Sequence, residues 1–155
     1  MDIYTYLHKD HLKVSKLFKE ITASNNQSER EELFLEVQME LELHADPERD
    51  TFYKALDKRA KGKEDAEHGI KEHKEIKKAL KAVRMAKSES EWLINMGKLM
   101  HTVEHHVEDE ESSMFEDGKK IISEKQAKDL VDEMEAMKEK LRSSKKFLSN
   151  FSEEE

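Results

Sequence analysis

Apolar residues recur along this chain at steps of three and four, and at regular intervals a polar residue takes one of their places. Leu7, Val14, Phe18 and Ile21 share a line with His11; Phe34, Val37 and Leu41 lead into His44, Glu48, Thr51 and Ala55. Ala66, Gly69 or Ile70, Ile76, Leu80 and Val83 align with His73, while Trp92, Met96, Leu99 and Val103 run on to His106 and Glu110. A period near 3.6 is that of a helix with one buried face. Helices are predicted over about residues 2 to 24, 28 to 60, 64 to 86, 88 to 116 and 123 to 148.

Ser28 with Glu31, Ser88 with Glu91, and Ser123 with Gln126 have the spacing of a capping box, and Gly62 and Gly118 are expected to end helices. Short connections make neighbouring helices antiparallel. The expected fold is all-α: an up-and-down four-helix bundle with an additional C-terminal amphipathic helix. The bundle is expected over 1–118, that helix over 119–150 within the same domain, and an acidic tail over 151–155. The last helix has its own stripe, Ala127, Leu130, Val131, Met134, Met137 and Leu141, expected to lie on its own bundle rather than dock a partner.

The polar interruptions repeat. HADPERDTFY from His44 can be laid over HVEDEESSMF from His106, and DHLKVSKLF from Asp10 over EHKEIKKAL from Glu72, both at an offset of 62 residues. Two related helical hairpins follow, each supplying one lone histidine and one His-x-x-x-Glu pair. A glutamate buried among apolar side chains costs several kcal/mol unless its charge is paired or coordinates a metal. A spacing of four puts His and Glu one turn apart on the same face, within reach of one centre. Nitrogen and carboxylate donors without sulfur suit Fe, Mn or Zn, and two carboxylates shared by two ions suit a bridged pair in a bundle core.

Composition narrows the function. Only four Gly and one Pro occur among 155 residues, 41% of which are charged, which favours long helices over sheets. A net charge of −8 is expected to exclude nucleic acid as a partner, because binding phosphates needs a basic face. There is no cysteine, hence no disulfide framework or thiolate site. MDIYTYLHKD lacks the apolar run of a signal peptide, and no stretch is long enough for a membrane span. A cytoplasmic protein is expected.

The segments DHLKV, ELELHADPERDTFY, EHKEI and VEHHVEDEESSMF resemble the hemerythrin HHE cation-binding family over about residues 2 to 116. The resemblance implies a four-helix bundle around two iron ions joined by an oxo or hydroxo bridge, meeting dioxygen, peroxide or nitric oxide. The ligands it implies are His11, His44, Glu48, His73, His106 and Glu110. Glu48 and Glu110 would be the bridges, with His11 and His44 on one iron and His73 and His106 on the other.

Departures from the family pattern shape the expectation. Oxygen carriers of the family take two histidines from the third helix, whereas His73 alone is placed there. His68 lies about 140° away round an ideal helix and would reach the centre only through a π-bulge. Pro47, between His44 and Glu48, removes a backbone bond and should bend its helix. Lys54 and Glu116 stand where the family has proline. Tyr4 and His8 lie toward the His11 face, as partners of the ligands, as a gate to the site, or as residues that cap a bundle end. His105 is expected to face outward, although it could share a metal-binding face with His101 and Asp109, and Tyr53, nine residues after His44, to serve packing. Six ligands for two irons leave open positions, which favours redox reaction or sensing over carriage. The expected function is binding or reduction of a small diatomic or peroxide ligand, with an unidentified electron donor or protein partner. The alternative is a non-catalytic sensing or oxygen-binding module that signals through its C-terminal helix.

Overall fold

A computed structural model describes residues 1–144, and all regular structure there is helical. Helix α1 is Ile3–Ala23. Helix α2 opens as Gln27–Glu48, widens into a π-helical turn at Arg49–Tyr53 and closes on Lys54–Leu56. Helix α3 is Ala60–Arg84. Helix α4 opens as Glu89–Asp109, passes through a second π turn at Glu110–Met114 and closes on Phe115–Ile121. Helix α5 is Glu124–Arg142. The expected residues 145–148 of the last helix and the tail 151–155 lie outside the described residues.

Helix α1 pairs with α2, α3 with α4, and α5 lies across α1 and α2. The inward stripes read from the sequence form the core, in two apolar clusters. One gathers Ile3, Leu7, Phe52, Leu56, Met114, Phe115, Leu130 and Met134. The other gathers Val14, Phe18, Phe34, Val37, Ile76, Leu80, Trp92, Met96 and Leu99. The histidines and glutamates of the stripes form a polar layer between them. No helix of the described residues is long and apolar enough to cross a membrane.

The capping signals of the sequence hold at two of three helix starts. Ser88 and Ser123 cap α4 and α5, accepting from the backbone N–H of Glu91 and Gln126 at 3.1 Å each. Helix α2 starts earlier than Ser28: Asn26 is its cap, accepting from Glu29 N at 3.0 Å. Asn is as good an N-cap as Ser, so the residue nearer the loop takes the role. Gly62 and Gly118 do not end helices. Gly62 is in the first turn of α3, where a Cβ would meet Leu56 O at 2.0 Å, and Gly118 is in the last segment of α4, under the Tyr4 ring. Both permit close approach rather than a turn.

The π turns follow directly on the two His-x-x-x-Glu pairs. In each, a hydroxyl bonds back to the carbonyl four residues earlier: Thr51 Oγ1 to Pro47 O at 2.7 Å and Ser112 Oγ to Glu108 O at 2.6 Å. These bonds occupy carbonyls near the widened ladder, where regular backbone pairing is interrupted. Only one of the two turns follows a proline, so Pro47 does not by itself account for them.

Candidate metal centre

Four helices each project one histidine into the polar layer, and α2 and α4 add one glutamate each. His11, His44, His106, Glu48 and Glu110 are buried, and the His73 side chain is 12% exposed. His44 Nε2 lies 3.2 Å and His73 Nε2 3.0 Å from Glu48 Oε1. His11 Nε2 lies 3.2 Å from Glu110 Oε1, and His106 Nε2 3.4 Å from Glu110 Oε2. Two sets of donors result, His11, His44, Glu48 and Glu110 in one and His73, His106, Glu48 and Glu110 in the other, each within 4.8 Å of one another. Both glutamates belong to both sets. Pro47 has not displaced Glu48, which is fully buried.

Close as they are, most of these atoms are not hydrogen-bonded to one another. His11 Nε2, His44 Nε2, His106 Nε2, both Glu48 oxygens and Glu110 Oε1 are buried without a hydrogen-bond partner. Buried polar atoms are rarely left so, because each unpaired group costs about 1–3 kcal/mol. Six such atoms concentrated in one layer are what bound cations would satisfy, and nitrogen and carboxylate oxygen donors suit them.

The other ring nitrogens are held by carboxylates. His44 Nδ1 is 3.0 Å from Asp10, His106 Nδ1 2.8 Å from Glu72, and His11 Nδ1 2.6 Å from Glu111. Ionised carboxylates only accept, so each Nδ1 donates to its acid and each ring is held with Nε2 turned inward. The sequence repeat contained part of this arrangement. Asp10 and Glu72 are the acids that precede the lone histidines, yet each holds the histidine of the neighbouring helix in its hairpin. Glu111 had no signal beyond its place beside Glu110.

Within this layer the histidines and carboxylates shift one another's titration. Burial opposes an imidazolium at His106, but the negative charge of Glu110 nearby, with the hydrogen bond to Glu72, raises its pKa to about 10. The same contest raises His44 well above the usual range through Glu48 and Asp10. Burial opposes ionisation of Glu110 as well, and His106 and His11 beside it outweigh burial, holding Glu110 low. For Asp10, burial is outweighed by His44 and then Lys138, leaving a pKa of about 2.

Other expected residues are placed as follows. Tyr53 is a correction: rather than packing alone, its hydroxyl donates to Glu110 Oε2 at 2.5 Å and lies 3.4 Å from His73 Nε2. His68 stays outside the centre, its side chain 53% exposed, because α3 contains no π turn. His105 faces outward, near Asp109, and His101 is exposed. His8 joins Glu111 at 2.8 Å, and Tyr4 is buried against Phe52 and Phe115, its pKa raised to about 12 first by burial and then by Asp2. A cavity of about 30 Å³ is lined by His11, His44, His73 and His106 together with Val14, Ile76, Val103 and Val107 among others.

Residues 2–118 match the hemerythrin HHE cation-binding domain, and the chain belongs to that family. It is therefore a cation-binding helical domain. The fold resembles the crystal structure of a hemerythrin HHE cation-binding domain-containing protein of Mycobacterium kansasii, at a TM-score of 0.78 and 24% identity, covering 90% of this chain and 86% of that one. A protein of Nostoc named DNA nickase is 28% identical over 142 residues. That match takes in 91% of this chain but only 40% of the Nostoc protein, so the chain spans about two fifths of that relative's length.

Proposed function

We propose that the chain is a non-haem di-iron protein that binds or reduces a small oxidant: dioxygen, peroxide or nitric oxide. The observation that carries the reading is the convergence of buried, unpartnered donor atoms in two sets that share Glu48 and Glu110. His11 and His44 would hold one iron, His73 and His106 the other, with both glutamates between them. Bound iron would supply the electron transfer. The chain's own residues fix the donors: Asp10, Glu72 and Glu111 hold Nδ1 and so keep the histidine Nε2 atoms turned inward.

The adjoining cavity supports a small ligand. Its volume of about 30 Å³ exceeds the roughly 10–15 Å³ needed to hold one water-sized molecule, and its valine and isoleucine walls suit an apolar diatomic. Tyr53 carries a proton 2.5 Å from Glu110 and is the side chain placed to donate at the centre. The test is elemental analysis with an optical spectrum of protein produced with sufficient iron. Two irons per chain with a ferric-pair absorption is expected; a single zinc, or no metal after careful loading, overturns the reading.

A second reading, a sensing module, is favoured by one contact. Lys138 Nζ of α5 lies 2.6 Å from Asp10 Oδ2, the oxygen that holds His44. The last helix thus touches the support of a proposed ligand. Steady peroxide turnover would favour the enzyme; iron-dependent hydrogen exchange confined to α5 would favour the module. The name of the Nostoc protein raises nucleic acid as a partner, and incubation of the iron-loaded protein with supercoiled plasmid tests it directly. The acidic balance of −8 leads us to expect the plasmid to stay closed.

A further inference from the structure

The two hairpins treat their supporting acids differently. Asp10 holds His44, and Lys138 closes on the same Asp10 oxygen from α5. Glu72, its counterpart 62 residues on, holds His106 with Oε1, and the neighbours of its Oε2 are histidines instead. Helix α5 packs on α1 and α2, so the α3–α4 hairpin has no matching lysine from it.

At this second position the chain repeats the His-x-x-x-acid spacing once more on each helix. His68 and Glu72 are one turn apart on α3, and His105 and Asp109 one turn apart on α4. Their counterparts in the first hairpin are Tyr6, Asp10, Leu43 and Pro47, so only the second hairpin has the set. His68 Nε2 is 3.3 Å from Glu72 Oε2 and 3.3 Å from Asp109 Oδ2. His105 Nε2 is 3.3 Å from Asp109 Oδ2 and 3.8 Å from Glu72 Oε2. Donor atoms of His68, Glu72 and Asp109 all lie within 4.8 Å of one another.

We propose that His68, Glu72, His105 and Asp109 form a second, outer metal site for a divalent ion of the zinc class, placed where Lys138 sits in the other hairpin. Four nitrogen and oxygen donors at bond lengths of about 2.0–2.1 Å round a tetrahedral ion stand roughly 3.3–3.4 Å apart. Of the six edges of such a site three match, His68 to Glu72, His68 to Asp109 and His105 to Asp109; His105, 3.8 Å from Glu72 and 63% exposed, has to turn toward the ion to complete it. Glu72 is buried and fixed by His106, while His68 and His105 open to solvent, so the site has an anchored floor and an entry path. Glu72 then bridges the two centres, one oxygen on a histidine of the inner layer and one on the outer ion.

Zinc titration of the iron-loaded protein tests the site, with metal content measured after gel filtration. One zinc per chain above the iron is expected. His68→Ala with His105→Ala should weaken its binding at least about tenfold and leave the iron content unchanged. His101→Ala, an exposed histidine of α4 outside the set, should change nothing. Cobalt(II) in place of zinc should show the intense visible bands of a four-coordinate ion, absent in the double variant. A His44→Ala/His73→Ala chain, with the inner layer disabled, should still take up the outer ion, which separates this site from the iron reading. No extra zinc, or zinc binding undiminished in the double variant, overturns the proposal.

Discussion

The Tyr53 hydroxyl donates to Glu110 across the bundle, from the end of the π turn in α2 to the start of the π turn in α4. The Tyr53 ring lies against the His73 imidazole, with centroids 5.3 Å apart and planes 25° from parallel. Gly69 makes this possible, because a Cβ there would sit 2.5 Å from atoms of the Tyr53 ring.

Tyr53→Phe should therefore keep the fold while leaving Glu110 Oε2 without its donor. A hydrogen bond to a charged group contributes about 1.5–3 kcal/mol, so denaturant unfolding should show a loss of that order. Metal content should persist, with a shifted visible band. Gly69→Ala should act on the same bond from the other side, moving the ring and reproducing the shift. An unchanged spectrum in both variants would show that Tyr53 has no influence on the centre.

The helices and their inward stripes were legible because helical periodicity is local and repeated. The six inward-pointing donors were legible for the same reason, amplified by the repeat of 62 residues. Tyr53 was not. Nine residues at 100° each place it opposite His44 on an ideal helix, and the wide turn at Arg49–Tyr53 brings it back to the His44 side. Nothing in RDTFY announces such a turn. Lys138 was missed because the apolar stripe continues past it through Met137 and Leu141, which leaves the lysine no sequence signal of its own, and its buried partner, Asp10, is 128 residues away. Asn26 was missed because Ser28 offered a competing cap signal two residues later.

His73 and His68 should separate cleanly. His73 Nε2 is 3.0 Å from Glu48 Oε1 and belongs to one of the two inner donor sets, whereas His68 belongs to the outer cluster alone. His73→Ala is expected to lose one iron or the whole pair, and His68→Ala to keep both with an almost unchanged spectrum. Loss of iron from His68→Ala would mean that α3 rearranges on metal binding and supplies a fifth histidine.

Asp65 sets a pH dependence away from the centre. Its pKa is raised to about 6, first by burial and then by its contact with Asp117, and its Oδ2 is buried without a partner. The folded chain holds this proton more tightly than the unfolded one, whose carboxyl titrates near 3.8. The resulting stabilisation is complete below about pH 4 and is lost as pH rises through about 6. Asp65→Asn should gain melting temperature relative to the parent chain across that interval and keep the gain above it. A difference that stays constant from pH 4 to 8 would show that Asp65 has an ordinary pKa.

Lys138 links the last helix to the metal layer, and its removal should reveal how strongly. The ammonium is buried at 4% exposure, 2.6 Å from Asp10 Oδ2 and 4.6 Å from the centre of the Tyr6 ring, whose hydroxyl in turn donates to Glu135. Lys138→Met preserves most of the side-chain volume but leaves Asp10 buried with His44 as its remaining partner. Breaking one side of a buried pair typically costs about 3–5 kcal/mol, so unfolding should come at distinctly lower denaturant. The rest of the α5 stripe, Leu130 and Met134, still holds the helix on the bundle, and helical circular dichroism should stay near that of the parent. With Lys138 gone, Asp10 is free to draw more of the His44 Nδ1 hydrogen, which makes Nε2 a stronger donor toward a metal. A shifted visible band in the iron-loaded variant is therefore expected alongside the lost stability. Lost stability with an unchanged band would confine Lys138 to holding α5 in place and remove the contact that favours a sensing module.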